Sequence, residues 1–306
     1  GDLTPLSYIA AALVGERMVR FEGHEMPAAD ALAQAGLKPI SLRPKEALAI
    51  MNGTAVMTGI AAIVFLRSER LSALATRLTS LACLALKGNP AHFNARLFSA
   101  KPHPLIDPDN GDILHGGHFY GGHVAFVMDG TKTLVANVAD LMDRQMALIV
   151  DTRFNNGLPA NLTGAVGERA AINHGLKALQ IAMSAWTAEA LKLTMPASVF
   201  SRSTECHNQD KVSMGTIAAR DALRVLELTE QVAAAHVIAC IQALRLRQRE
   251  GEIVVADLPA TLTDFVSAIG APVPFIDEDE PLDGLLRHLC AELAAQSWDL
   301  RWESTT

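Results

Sequence analysis

The sequence predicts an all-α protein, on the strength of its composition and its hydrophobic spacing. Half of the 306 residues are hydrophobic but only 5% are aromatic. The apolar content therefore comes mainly from Ala, Leu, Ile, Val and Met, which is typical of packed helices. Apolar residues also recur at spacings of three and four, as they do on one face of a helix. We therefore expect a central bundle of long helices with a smaller helical C-terminal part.

Four long segments form the predicted bundle. Each is rich in small apolar residues at helical spacing, and the last continues for about forty residues without a proline. Small apolar residues on several faces indicate burial between helices and between subunits. The four segments are 54–86, 122–152, 167–193 and 210–250. Within the second segment, one side of the helix carries Val135, Val138, Met142 and Ile149.

Shorter helices are predicted toward both ends of the chain. Two of them cover residues 6–18 and the segment from Pro27 to Gly36, with a glycine-rich loop at 22–25 between them. Pro44 favours the first turn of a third, and a last helix covers 283–297. The basic run 244–249 is interpreted as the solvated end of a helix. The acidic run 277–280 is interpreted as a solvated helix start, where carboxylates suit the helix dipole.

Charge and cysteine usage exclude several classes of protein. The net charge is −7 and the isoelectric point about 5.8, so no nucleic-acid partner is expected. The four cysteines are widely spaced without a CxxC pair, which favours a cytoplasmic protein. No uninterrupted apolar run of membrane-spanning length is expected, and hence no membrane partner. The chain has neither a signal peptide nor an initiator Met, so we expect it to begin within a longer or processed protein.

Two short motifs lie in the N-terminal part, Gly1-Asp2-Leu3-Thr4-Pro5-Leu6 and Met51-Asn52-Gly53-Thr54. On its own, Asn52-Gly53 predicts a turn. Both motifs resemble segments of the histidine/phenylalanine/tyrosine ammonia-lyase family, in which Ala-Ser-Gly cyclises into a methylidene-imidazolone (MIO) electrophile. The resemblance implies that Gly1 is the third residue of that triplet. It also implies that Asp2 and Asn52 support the electrophile and its formation.

Residues 113–123 contain three histidines among four glycines. A metal site is one interpretation, although no cysteine or carboxylate stands at ligand spacing. A structural, glycine-rich start of the following helix is another. The resemblance favours a third, in which Phe119 packs beside the MIO group. His118 and Tyr120 depart from the family's usual Asn and His, and their roles stay open.

The segment 205–210 carries the second specific resemblance. Asn208 or Asp210 is suited to cap the long helix that follows. The resemblance implies in addition that Leu3, Glu205, Asn208 and Gln209 bind the substrate. Histidine-specific members carry Glu at the position of Gln209, whereas phenylalanine- and tyrosine-specific members carry Gln. Cys206 is interpreted as a small filler and not as a nucleophile.

Taken together, the motifs imply an aspartase/fumarase-like fold and a homotetramer with shared active sites. The implied reaction removes ammonia from a small aromatic L-amino acid, phenylalanine or tyrosine being favoured, to give a trans-arylacrylate. The cofactor would be MIO, with no metal. Histidine ammonia-lyase and MIO-dependent aminomutase remain alternatives, and a non-catalytic helical scaffold is the alternative from another class.

One part of the family pattern is absent from this sequence. The family's Tyr-Ser-x-Arg motif, whose arginine binds the substrate carboxylate, does not occur, and neither does its catalytic tyrosine segment. We expect missing segments between residues 104 and 105 and before residue 1. The single incomplete lyase domain is then divided into 1–44, the end of the MIO-bearing part; 45–250, the bundle; and 251–306, the C-terminal part.

Overall fold

The all-α class is confirmed by the computed structural model, which describes residues 2–88, 121–207, 209, 211–298 and 300. The helices within these residues are α1 Leu3–Leu13, α2 Ala28–Gln34, α3 Glu46–Met51, α4 Ala55–Ala85, α5 Gly122–Val150, α6 Lys177–Lys192, α7 Gly215–Arg249, α8 Ala260–Gly270 and α9 Asp283–Ala295. Three of the four long predicted helices, α4, α5 and α7, are observed close to their predicted bounds.

Several local predictions differ from the structure. The first short helix, expected at 6–18, is α1, which ends at Leu13 because Gly15 is left-handed with a φ of 84°. The expected loop at 22–25 belongs to an antiparallel hairpin, in which Glu22 and Gly23 form the turn between β1 Met18–Phe21 and β2 His24–Pro27. The third long helix is shorter than expected, because α6 begins only at Lys177 and Gly167–Ala171 is a 3-10 turn. Helix α8 was not predicted, since 283–297 is the one helix that the sequence analysis places within 251–306.

The chain divides into two compact units, each assembled from three stretches of sequence. The first contains Gly1–Val64, Asn110–Thr131 and Met195–Leu223. The second contains Phe65–Asp109, Lys132–Thr194 and Arg224–Thr306. Helices α4, α5 and α7 each contribute residues to both units. The division at residues 44 and 250 stays a prediction.

Helix α7 forms the centre of the second unit. Between Val232 and Arg247 every side chain but that of Arg245 is buried. A helix buried on all sides must be apolar around its circumference, or its polar groups must find partners. Gln242 illustrates the second case. Its amide nitrogen donates to the carbonyls of Leu162 and Ile276, and its oxygen accepts the N–H of Ile276.

Only the end of the basic run 244–249 is solvated: Gln248 and Arg249 are exposed, whereas Arg245 and Arg247 lie largely inside the protein. The side chain of Arg247 is 2% exposed and donates hydrogen bonds to three backbone carbonyls. Arg245 donates to the carbonyl of Gly270 and Arg249 to that of Gly164. The guanidinium groups supply donors to carbonyl groups at helix ends and in loops, which otherwise lack partners.

The acidic run 277–280 is exposed, as expected, but it also binds a second loop. Glu278 forms an ion pair with Arg169. The carboxylate of Asp279 accepts the N–H groups of His174 and Gly175 at 2.8 and 2.7 Å. These backbone donors and the nearby His174 ring lower the pKa of Asp279. The run thus joins the loop before α9 to the loop before α6.

One helical stretch is long and apolar enough to cross a membrane, contrary to the expectation above. Glu46–Ala85 contains an 18-residue window with a mean hydropathy of 1.9, of which 11% is buried within this chain. Core helices of soluble proteins meet the same criteria. The finding therefore assigns no membrane, but it identifies a large apolar surface that this chain alone leaves exposed.

A buried polar network lies between α4, α5 and α7 in the second unit. Gln145 donates from its amide nitrogen to Thr79 at 2.8 Å, so its oxygen faces the Nε2 of His236 at 3.0 Å. The Nε2 of His236 therefore carries the proton. Its Nδ1 is buried without a partner among the described residues. Burial lowers the pKa of His236 to about 4, against a weaker opposing effect of Asp143.

The depressed pKa of His236 predicts a loss of stability in mild acid. Between about pH 6.5, the ordinary value, and about 4, the unfolded chain binds a proton that the folded chain excludes. The free energy of unfolding should therefore fall by up to roughly 3 kcal/mol as the pH decreases through this window. Urea unfolding at several pH values measures it. His236→Gln should flatten the pH dependence, and an unchanged slope in that variant would contradict the assignment.

Candidate active site

Asp2 is the best defined of the predicted site residues, and it is completely buried. Its Oδ2 accepts the backbone N–H of Met57 at 2.8 Å, and its Oδ1 accepts the hydroxyl of Thr216 at 2.6 Å. Met57 and Thr216 lie in the first turns of α4 and α7. The carboxylate thus binds at two helix starts, where unpaired N–H groups and the helix dipoles favour negative charge.

The backbone of Asp2 is fixed as well. Its N–H donates to the carbonyl of Gly53 at 2.8 Å, and its carbonyl accepts the N–H of Leu6 at 2.9 Å. The first bond connects Asp2 to the Asn52–Gly53 turn. The second begins α1. Two motifs that the sequence analysis singled out separately are therefore brought into contact.

A third helix start lies at the same place. Met57 is fully buried, and a Cβ added to either Gly121 or Gly215 would overlap its sulfur. Gly121 immediately precedes α5, and Gly215 is the first residue of α7. The lack of a side chain at both positions lets the starts of α4, α5 and α7 approach one another closely. Their dipoles produce a positive region in the protein interior around one carboxylate.

Asn52 is exposed and ends α3. Its side-chain amide donates to the carbonyl of Leu48 at 2.7 Å, which satisfies one of the last carbonyls of that helix. Asn52 and Gly53 form the bend between α3 and α4. A role beside the electrophile stays a prediction. Leu3, predicted to bind substrate, is the first residue of α1 and is 39% exposed.

The segment that precedes α7 is anchored to α5. The buried carboxylate of Asp129 accepts the N–H groups of Ala197 and Ser198, both at 2.9 Å. Further along, Thr204 and Gln209 exchange two backbone hydrogen bonds of 2.9 and 3.3 Å. This pairing closes a loop that contains Glu205 and ends at Gln209, two of the predicted substrate-binding residues.

Three successive residues of this loop are left-handed. Glu205, Cys206 and His207 have φ values of 53°, 53° and 68°, a conformation that costs roughly 1 kcal/mol or more for each residue other than glycine. The Thr204–Gln209 pairing holds them in it. All three are exposed, so the interpretation of Cys206 as a filler is wrong. The ring of His207 pairs with the hydroxyl of Ser203 at 2.8 Å and not with the thiol.

Two polar side chains near the start of α7, those of Gln209 and Ser213, are partly buried among the described residues. The hydroxyl of Ser213 is buried and has no hydrogen-bond partner among the described residues. A Cβ at Gly121 would lie 3.2 Å from it, so the hydroxyl is close to the shared helix starts. An orphaned buried hydroxyl beside a positive region is suited to bind a polar group.

Several predicted residues lie outside the described part of the chain. These are Gly1, Phe119 and Asn208, and with them Asp210 and residues 113–120 of the histidine-rich segment. Within the described ranges, no group of three or more His, Cys, Asp or Glu side chains is arranged to hold a metal ion.

Sequence reasoning missed Met57, Thr216 and Asp129. No motif distinguishes them, because each acts through a partner far away in the chain: Asp2 lies 55 residues from Met57 and 214 from Thr216. One signal was present. Gly215 and Thr216 lie shortly after the segment 205–210, where the sequence predicts the start of the fourth long helix.

Comparison with known proteins agrees with this helical architecture. The sequence model of the family described as aromatic amino acid lyase matches residues 1–105 and 104–268. Histidine ammonia-lyase from Geobacillus kaustophilus (strain HTA426) is 30% identical over 312 residues, which cover 81% of this chain and 61% of that protein. Phenylalanine aminomutase from Taxus chinensis is 29% identical, covering 86% of this chain and 50% of that protein.

Solved structures share the fold. Histidine ammonia-lyase from Trypanosoma cruzi superposes with a TM-score of 0.84 at 22% identity, covering 97% of this chain and 67% of that one. Tyrosine aminomutase from Streptomyces globisporus gives 0.81 at 23% identity, covering 97% and 70%.

The helical fold is therefore one that solved lyases and aminomutases share. The chain belongs to the aromatic amino acid lyase family. It spans about 61% of the length of the first curated relative. The two matched stretches meet at residues 104 and 105, and a missing segment at that place stays a prediction.

Proposed function

We propose that the full-length protein is an ammonia-lyase that converts an aromatic L-amino acid, phenylalanine or tyrosine in preference, into a trans-arylacrylate and ammonia. The observation that carries the proposal is the buried carboxylate of Asp2, bound at the starts of α4 and α7. Asp2 directly follows Gly1, the residue proposed to end the triplet that forms MIO.

The described residues fit an MIO group at this place. Such a group supplies an electrophile for the substrate's amine, which ordinary side chains cannot provide. Asp2 holds the peptide that follows Gly1 through its N–H bond to Gly53. The helix starts provide a preorganised positive environment for negative charge, and the unpaired hydroxyl of Ser213 offers a further hydrogen bond. Asn52 is proposed to bind the amine, and Phe119 to pack beside the group.

Substrate choice is proposed to depend on Gln209, with Leu3, Glu205 and Asn208 as further substrate-binding residues. A neutral amide suits an uncharged phenyl or phenol ring, whereas an imidazole benefits from a carboxylate partner. The curated relatives include both a histidine ammonia-lyase and a phenylalanine aminomutase. Membership of the family therefore does not decide which aromatic ring the substrate carries.

An assay of the full-length protein with three amino acids tests the substrate. We expect the absorbance of cinnamate or coumarate to appear with phenylalanine or tyrosine, and little urocanate with histidine. Gln209→Glu should shift the preference toward histidine, by about tenfold if one hydrogen bond to a charged group decides it. Gln34→Glu, the same exchange at the exposed last residue of α2, is the matched control and should leave the preference unchanged. Efficient turnover of histidine alone would contradict the choice.

An aminomutase is the second candidate, because relatives named phenylalanine and tyrosine aminomutase are among the similar proteins. Such an enzyme returns ammonia to the β-carbon. Chromatographic detection of a β-amino acid in the same reaction mixture distinguishes it from a lyase. The absence of both products would favour the non-catalytic scaffold.

A homotetramer is proposed from the exposed apolar residues of the second unit. Leu134, Leu141 and Leu148 stand seven residues apart on α5 and are 40–60% exposed, and on α4 Phe65 and Leu66 are 65% and 52% exposed. A monomer rarely leaves so many large apolar side chains in water. Cover by further copies of this chain, with active sites shared between subunits, accounts for them.

Light scattering of the full-length protein tests the assembly. We expect a tetramer, and Leu141→Glu should shift it toward smaller species because a buried charge opposes association. Leu37→Glu introduces the same charge at a leucine that is 58% exposed outside the helices and should leave the tetramer intact. A stable, active monomer would contradict the proposal.

A cytoplasmic location is also proposed. Cys83, Cys206, Cys240 and Cys290 are all free thiols. Unpaired cysteines, one of them exposed, are typical of a reducing compartment.

A further inference from the structure

We propose that Thr216 is a positioning residue for formation of the MIO group, acting through Asp2. This inference rests on the proposed function. Within the described residues, Asp2 is held at four atoms, by Gly53, Leu6, Met57 and Thr216. Backbone groups supply three of these bonds. The hydroxyl of Thr216 is the one partner that comes from a side chain.

The hydrogen bond also connects two separate parts of the site. Thr216 is the second residue of α7, and the segment leading into that helix carries Gln209 and Ser213. Asp2 begins α1 and contacts the Asn52–Gly53 turn through Gly53. At 2.6 Å, the Thr216 hydroxyl bonds a completely buried carboxylate oxygen. Its loss leaves that oxygen without a described partner, and such a group tends to reorient or to admit water.

Reorientation of Asp2 matters because of the chemistry next to it. In the cyclisation, the amide nitrogen of Gly1 would form a bond to the carbonyl carbon two residues earlier, whose oxygen would leave as water with the amide protons. The serine between them would lose its hydroxyl and its α-proton as a second water, so that nothing is oxidised or reduced. The reaction requires the short peptide loop to be held close to its product geometry. Asp2, the next residue along the chain, fixes one end of that loop, and Thr216 fixes the side chain of Asp2.

Intact-mass measurement of the full-length protein reads this step independently of turnover. The cyclised fraction is the share of molecules lighter by two waters. Thr216→Val keeps the shape of the side chain but removes the hydroxyl. In this variant, the cyclised fraction that forms in a fixed time should be about tenfold lower, because a hydrogen bond to a charged group usually contributes that much. Thr216→Ser, which keeps the hydroxyl, should restore most of it.

Thr229→Val is the matched control. Thr229 is buried in the same helix, but its hydroxyl bonds only the carbonyl of Val225, so its removal should leave cyclisation unchanged. A full cyclised fraction in Thr216→Val overturns the inference, and so does an equal loss in both valine variants or no rescue by serine. If the unsubstituted protein itself loses no water, the proposed function fails and this inference fails with it.

Discussion

Asp2→Ala in the full-length protein is expected to lower turnover by at least about a hundredfold, the magnitude typical of removing one preorganised electrostatic group from an active site. The substitution removes the only carboxylate described at the shared helix starts, and it leaves the N–H of Met57 and the hydroxyl of Thr216 without their partner. Steady-state kinetics with the best substrate measures the effect. Circular dichroism verifies that the helices are retained.

Two further variants make this experiment specific. Asp2→Asn keeps the shape and can still bond both partners, so its residual activity reports on the charge alone. Asp30→Ala removes an exposed carboxylate from the first turn of α2 in the same unit and should have no effect on turnover. Wild-type kinetics in Asp2→Ala would contradict the assignment of Asp2 to the active site.

Arg247→Met is expected to lower the free energy of unfolding by about 3–5 kcal/mol, because partner groups remain buried without it. The guanidinium group donates to the carbonyl of Ala85, the last residue of α4, and to those of Asn155 and Asn156 in the loop after α5. It also pairs with Glu252 beyond the end of α7. One side chain thus joins the ends of three long helices in the second unit.

Urea unfolding measures this effect, with Arg287→Met as the control. Arg287 is 73% exposed and pairs only with Asp283 one helical turn away. Exposed pairs of this kind contribute less than about 1 kcal/mol. If the two variants lost similar stability, Arg247 would not join the helix ends as described.

Glu252, whose pKa is lowered by Arg247 and Lys87, adds an acid-sensitive component to the same contact.

The long helices could be predicted from the sequence because their signal is local. Apolar spacing and the absence of proline are properties of neighbouring residues, and α4, α5 and α7 follow them closely. The direction of a charged side chain is not local. Arg247 was interpreted as solvated because its partners, Ala85 and Asn155, lie 162 and 92 residues away in the chain. The hairpin at β1 and β2 was missed because its two strands are only four residues long.

In the candidate site, too, local motifs could be predicted from the sequence and contacts between distant residues could not. Asp2, Asn52 and Gln209 could be proposed as site residues through resemblance to motifs of a known family. The convergence of three helix starts on Met57 could not, because it depends on glycines at positions 121 and 215 that are remote from each other in sequence. Thr216 became visible only when its hydroxyl was found on the carboxylate of Asp2.

The mass of the intact full-length protein tests the central claim most directly. If Gly1 is the last residue of an MIO-forming triplet that Asp2 holds in place, the measured mass should be lower by two waters than the mass calculated from the sequence. The loss should map to the peptide that contains Gly1 and Asp2. A full-length protein whose mass equals the calculated value would contradict the account.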